Sequence, residues 1–149
     1  MAQPFRLRPV LELAQRRLES ATTQLQALAV KREEAQVRLD RLKSYLETYR
    51  TDYQTAMGSG VDLVRLRDFQ AFLAKLERAI EMQTEEVARC QTAWEAEHRN
   101  WMALRTKEQA FTVLERRHDA QETLREGRRE QKQLDEFSLR KGPKSRQEY

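Results

Sequence analysis

Apolar residues return along the first third of the chain at alternating spacings of three and four. The run is Leu11, Ala14, Leu18, Ala21, Leu25, Leu28, Arg32, Ala35, Leu39, Leu42, Leu46, Tyr49, Tyr53 and Ala56, and only Arg32 departs from apolar character. Glu, Gln, Lys, Arg and Thr fill the positions between. This spacing places one stripe along a helix, and its persistence over about six heptads predicts a coiled-coil strand. A second run repeats the pattern: Leu66, Phe69, Leu73, Leu76, Ile80, Gln83, Val87, Cys90, Trp94, Glu97, Trp101 and Leu104. Past Leu104 the phase is expected to slip, because Phe111 and Leu114 are three apart and His118 and Gln121 follow. Residues 115–141 read as a helix with no apolar face, weakened at Gly127 by about 1 kcal/mol relative to alanine.

The two runs are separated by Met57-Gly58-Ser59-Gly60-Val61-Asp62, where the helix-forming text stops and restarts. Gly58 suits the position just past a helix end, where positive φ is common. Asp62 can accept a hydrogen bond from the first free amides of the next helix. Val61 and Leu66 have the spacing of a hydrophobic staple. Pro9 fits the first helical position, where a missing N–H costs nothing. The expectation is an all-α fold, a single antiparallel coiled-coil domain over 1–141. Helix 1 covers about 9–57, the tip 58–62 and helix 2 about 63–140. Gly142-Pro143 is expected to end the second helix and leave 142–149 as a disordered basic tail.

A short break between two matched stripes favours antiparallel neighbours. Folding about Gly60 sets Leu46 near Leu73, Leu39 near Ile80, Leu25 near Trp94 and Leu18 near Trp101. Small Ala14 and Ala21 then flank the bulky tryptophans, as interdigitated packing requires. At about 1.5 Å per residue the paired arm is on the order of 70 Å long. Helix 1 is expected to run out opposite residue 109, leaving everything from about Ala110 to Lys141 unpaired.

Composition supports long solvated helices. Charged residues make up 35% of the 149 residues against 39% hydrophobic, with only 4 glycines and 3 prolines. A formal net charge of +4 permits contact with nucleic acid or acidic lipid without demanding it. The N-terminus lacks the apolar run of a secretory signal, and no stretch approaches the roughly 20 apolar residues that span a bilayer. One cysteine and two histidines give neither a disulfide nor a metal framework. There is no phosphate-cradling glycine loop and no nucleophile–base order, so no catalytic residue, metal or cofactor is expected. Cys90 lies on the stripe and reads as a buried structural thiol. His98 and His118 read as surface or stripe-edge residues, and Trp94 and Trp101 as core.

Beside the tip the aromatic content exceeds what one stripe needs. Phe72, Leu76 and Ala79 form a second stripe on helix 2, and Leu42, Tyr45 and Tyr49 do the same on helix 1. Exposed contiguous apolar area of this kind marks a partner site; the competing reading is extra cover for a fraying hairpin end. The other candidate surface is the polar stretch beyond residue 115, where Arg116, Arg117, Arg125, Arg128, Arg129 and Lys132 alternate with acids. Such alternation is mostly a solvated helix held by i,i+4 pairs. The interrupted charge and scarcity of aromatics argue against nucleic acid, although a basic coiled-coil arm that binds nucleic acid remains the alternative of a different class.

Three ordered stretches resemble the bacterial flagellar export protein family FliJ. They are Tyr49-Arg50-Thr51 with Met57-Gly58-Ser59-Gly60, then Phe69-Gln70-Ala71-Phe72 with Leu76-Glu77-Arg78-Ala79-Ile80-Glu81, and last Glu130-Gln131-Lys132-Gln133-Leu134-Asp135-Glu136-Phe137. The resemblance covers nearly the whole length and excludes 138–149. It implies an antiparallel two-helix coiled coil similar to the central stalk of rotary ATPases, without catalysis of its own. It implies binding to the hexameric flagellum-specific export ATPase, whose ring assembly it favours. It also implies contact with the cytoplasmic domain of the membrane export gate and with export chaperones. The implied location is cytoplasmic, peripheral to the inner membrane at the flagellar base. Gate contact would fall on Leu42, Tyr45, Tyr49, Phe72, Leu76 and Ala79, with Gln83 at the next step. ATPase contact would involve the helix termini, with Gln131, Lys132, Asp135 and Glu136 as candidates. The equivalent stalk of a virulence injectisome shares this architecture.

Overall fold

The computed structural model describes residues 3–60 and 62–145, with side chains as far as residue 140. The fold is an all-α helical hairpin of two helices that pack against each other, α1 (Arg8–Gly58) and α2 (Leu63–Ser145). Contacts divide the chain into two compact units. One is Glu19–Met102, which contains the turn, and the other combines the residues up to Leu18 with those from Ala103 onward.

Both ends of the turn follow from side-chain chemistry. The last turn of α1 is closed by Ser59 N–H donating to the Ala56 carbonyl at 3.2 Å and by Ser59 Oγ donating to the Thr55 carbonyl at 2.9 Å. α2 starts on the expected cap. Asp62 Oδ1 accepts from the Arg65 amide at 2.8 Å, while the Asp62 carbonyl accepts from the Leu66 amide at 3.1 Å. The reversal itself uses Gly60, at φ +78°, and Gly58 is the last residue of α1 instead of the left-handed residue beyond it. Two glycines were available, and the one nearer the Asp62 cap takes the left-handed conformation. The staple between Val61 and Leu66 lies outside the described residues.

Within Glu19–Met102 the stripe positions of both helices are buried or half-buried, with Ala21, Ala35, Leu39 and Leu76 most completely covered. Two facing helices cover each side chain from one direction only, so alanines and a few leucines bury while the aromatic and most longer side chains keep an outer edge in water. The polar stripe residues find partners across the pair. Gln83 Nε2 donates to the Ala35 carbonyl at 2.9 Å, which ties the two backbones in register. Arg32, the one charged residue of the first stripe, lies 4.3 Å from the Trp94 ring centroid and donates to Gln91 Oε1 at 3.4 Å. A guanidinium over an indole face is an attractive arrangement that also shields the charge's apolar stem. Trp101 Nε1 donates to Thr22 Oγ1 at 2.9 Å, close to its expected neighbours.

The unit formed by the chain's two end segments departs from expectation in several ways. First, α1 begins at Arg8, so Pro9 holds the second helical position; the first backbone bond runs from the Leu11 amide to the Leu7 carbonyl at 2.9 Å, and the proline still forfeits nothing. Second, the α2 stripe does not slip after Leu104. Burial continues through Glu108, Phe111, Glu115, His118 and Glu122, in unbroken four-three alternation, while Leu114 and Gln121 are exposed. Glutamates hold every second position, so counting apolar residues loses a phase that the backbone keeps. Third, α2 is not bare from Ala110. Residues 3–8 cover it as far as Glu122, and from Thr123 onward every described side chain is exposed. α2 also continues through Gly142 and Pro143 to Ser145. The remainder of the expected tail, 146–149, lies outside the described residues.

Candidate functional site

Near the turn, α1 and α2 each bring aromatic side chains to one flank of the hairpin. Tyr49 is the hub. Its ring centroid lies 4.6 Å from Phe72 and 5.4 Å from Phe69. Tyr45 packs edge-on to Phe72 at 6.0 Å, and Tyr53 edge-on to Phe69 at 5.4 Å. These are tilted and T-shaped contacts, the geometries that ring quadrupoles favour. Burial pushes the Tyr49 phenol above its ordinary range, with neighbouring Tyr45 and Asp68 adding to the rise. The hydroxyl donates to the Phe69 carbonyl at 3.5 Å.

The cluster does not close over itself. Tyr45 remains 51% exposed and Phe72 38%, against 6% for Leu76. A groove of about 480 Å³ opens along it, lined by Tyr45, Tyr49, Phe69 and Phe72 with Arg65 and Asp68 at its polar edge. Of the six tip residues expected to touch a partner, Tyr45, Tyr49 and Phe72 are thus brought together at an open surface. Leu42 is half-buried in the stripe and Ala79 half-buried beside it, and Leu76 is packed in the core. The sequence reading missed Arg65, Asp68 and the groove-facing edge of Phe69. Heptad counting had already placed Phe69 in the stripe and had no reason to give it a second role.

The second candidate set lies far along α2. Gln131, Lys132, Asp135 and Glu136 are all exposed, and Gln131 Nε2 donates to Asp135 Oδ1 at 3.2 Å, one turn on. Leu134 at 61% and Phe137 at 57% are exposed in the same stretch. The four polar residues share a helix segment with each other and with no tip residue.

Other chemistry-bearing groups are absorbed into packing. The Cys90 thiol is half-buried and donates to Glu86 Oε1 at 3.7 Å; burial, then the Glu86 charge, pushes it up and away from thiolate. His98 stacks between Trp94, at 4.8 Å, and Trp101, at 5.9 Å. Among the described residues no group of three His, Cys, Asp or Glu is placed to hold a metal, and no helix is long and apolar enough to cross a membrane.

Comparison with known proteins gives a consistent picture. The profile of the family described as "Flagellar FliJ protein" matches residues 3–147. A flagellar FliJ protein of Salmonella typhi is 29% identical over 140 residues, covering 94% of this chain and 95% of the relative. One from Escherichia coli (strain K12) is 26% identical over 140 residues with the same coverage. No solved structure matches the chain significantly.

Proposed function

Because the chain belongs to the flagellar FliJ protein family and is thereby a flagellar export component, we propose that it serves there as a non-catalytic stalk and coupling factor. In this reading the end of α2 binds the hexameric export ATPase through Gln131, Lys132, Asp135 and Glu136 and promotes ring assembly. The aromatic flank of the turn, through Leu42, Tyr45, Tyr49, Phe72, Leu76 and Ala79, docks on the cytoplasmic domain of the membrane export gate. Export chaperones are further partners, and the protein works at the cytoplasmic face of the inner membrane.

The observation that carries the reading is the pairing of family membership with an open aromatic groove at the turn. Large exposed rings cost solvation unless a partner covers them, and clustered tyrosine and phenylalanine are typical of interface anchors. The test is ATP hydrolysis by the cognate export ATPase with and without the full chain, alongside sedimentation of the mixture. Faster turnover and a shift toward hexamer are the expected result, both lost on truncation from Gln131. No stimulation and no co-sedimentation by a helical chain would sink the coupling role.

A further inference from the structure

Residues 3–8 hold one face of α2 without sealing it. Gln3 uses both of its backbone groups: its N–H donates to Glu122 Oε2 at 3.1 Å, and its carbonyl meets His118 Nε2 at 2.8 Å. The Phe5 ring lies 5.6 Å from the His118 ring, and Arg8 reaches Glu115 at 3.6 Å. The anchoring groups are therefore Glu115, His118 and Glu122, three consecutive stripe positions. Glu122 is the buried charged residue among those described, at 6% exposure, and Arg125 holds its other oxygen at 3.1 Å.

This strap differs from the rest of the packing in what it buries. Gln3, Pro4, Arg6, Leu7 and Arg8 are exposed and Phe5 is only half-buried, whereas Leu11 is 4% exposed. The Arg8–Glu115 pair is half in water and holds weakly. When the strap lifts, α2 uncovers two carboxylates and an imidazole, which water solvates readily. A space of about 490 Å³ also remains between strap and helix, lined by Gln3, Pro4, Phe5, His118, Gln121 and Arg125. The strap underfills the site it occupies.

We propose that the Glu115–His118–Glu122 face of α2 is a docking site for a short basic segment carrying an aromatic anchor, and that residues 3–8 occupy it until such a segment displaces them. The strap defines the chemistry of its competitor. A free backbone amide meets the buried carboxylate, a ring meets the imidazole, and a guanidinium meets Glu115. This site is separate from the stretch at Gln131–Glu136 and does not depend on the ATPase assignment there.

The probe is an acetylated peptide of sequence Gln-Pro-Phe-Arg-Leu-Arg, added to isotopically labelled full chain. Two chains are compared, the unmodified one and a strap variant carrying Gln3→Pro and Phe5→Ala, which removes the amide donor and the ring. The peptide is expected to perturb the amides of 115–122 and to bind the strap variant about tenfold more tightly, the factor for a site open about a tenth of the time. Adding His118→Ala and Glu122→Ala to the strap variant is expected to abolish binding at unchanged helicity. Equal affinity for both chains overturns the proposal, as does the absence of shifts in 115–122 at millimolar peptide. A dimer of the unmodified chain that the strap variant does not form would also overturn it, by showing that the strap belongs to a second copy.

Discussion

Gly60 and Gly58 are two residues apart and chemically identical, yet substitution should affect them oppositely. Neither Cβ would meet an atom within 4 Å, so space is not the issue. Gly60 stands at φ +78°, and an alanine there costs about 1–2 kcal/mol of backbone strain. Gly58 ends a helix without positive φ, and Gly58→Ala is expected to be neutral or to stabilise by about 0.4–1 kcal/mol through the unfolded chain. Thermal unfolding followed by circular dichroism separates the two. Tyr49 makes a second residue-scale prediction. Its phenol is raised in the folded state, so the native form favours the protonated group. The associated stability is fully present below the ordinary phenol value of 10.0 and is lost as pH rises through the folded one. Alkaline titration of unfolding is expected to show this loss, and Tyr49→Phe is expected to remove it.

At the scale of elements, α2 is 83 residues long, and every described side chain from Thr123 to Arg140 is exposed. An uncovered helix depends on its own propensities. Gly127 is its weakest interior position, with open space around it, so Gly127→Ala is expected to raise local helix stability by about 1 kcal/mol. Hydrogen exchange over 120–140 would slow accordingly, while exchange in Glu19–Met102 would not change. The two stripes and the Asp62 cap were legible in the sequence because each depends on side chains at fixed spacing. The continuation through Glu108, Glu115 and Glu122 was not, since a charged residue at a stripe position looks like a solvated one until its partner is known. The strap was illegible for a different reason. Gln3 holds α2 through its backbone amide and carbonyl, and any non-proline residue carries both. In the tip cluster, Tyr45 and Phe72 could be read as surplus to the stripe, whereas Tyr49 and Leu76 each also hold a stripe position, and spacing alone does not separate the groove-lining ring from the core leucine.

For the molecule as a whole, the gate docking proposed for the turn can be separated from its folding role. Tyr45 and Phe72 are the exposed members of the cluster, so Tyr45→Ala with Phe72→Ala is expected to weaken gate binding by at least tenfold, about 1.4 kcal/mol or more, while helicity is retained. Including Tyr49 would also remove the hub against which Phe69 and Phe72 pack, and lost helicity in that triple variant would report packing instead. The four-residue reversal capped by Asp62 has one more consequence, which concerns time instead of stability. Facing pairs lie ever further apart along the chain, from 20 residues for Tyr49 and Phe69 to 79 for Thr22 and Trp101 and 119 for Gln3 and Glu122. Each doubling of an open loop costs about 0.6 kcal/mol of closure entropy, so a chain that zips outward from Gly60 never closes a long loop at once. Folding should then nucleate at the turn and melt from the strap. Gly60→Ala is expected to slow refolding in stopped-flow measurements, and His118→Ala to leave the refolding rate unchanged and accelerate only the loosening of the ends. The turn that presents the aromatic groove is, on this account, also the clock that decides when the helices find each other.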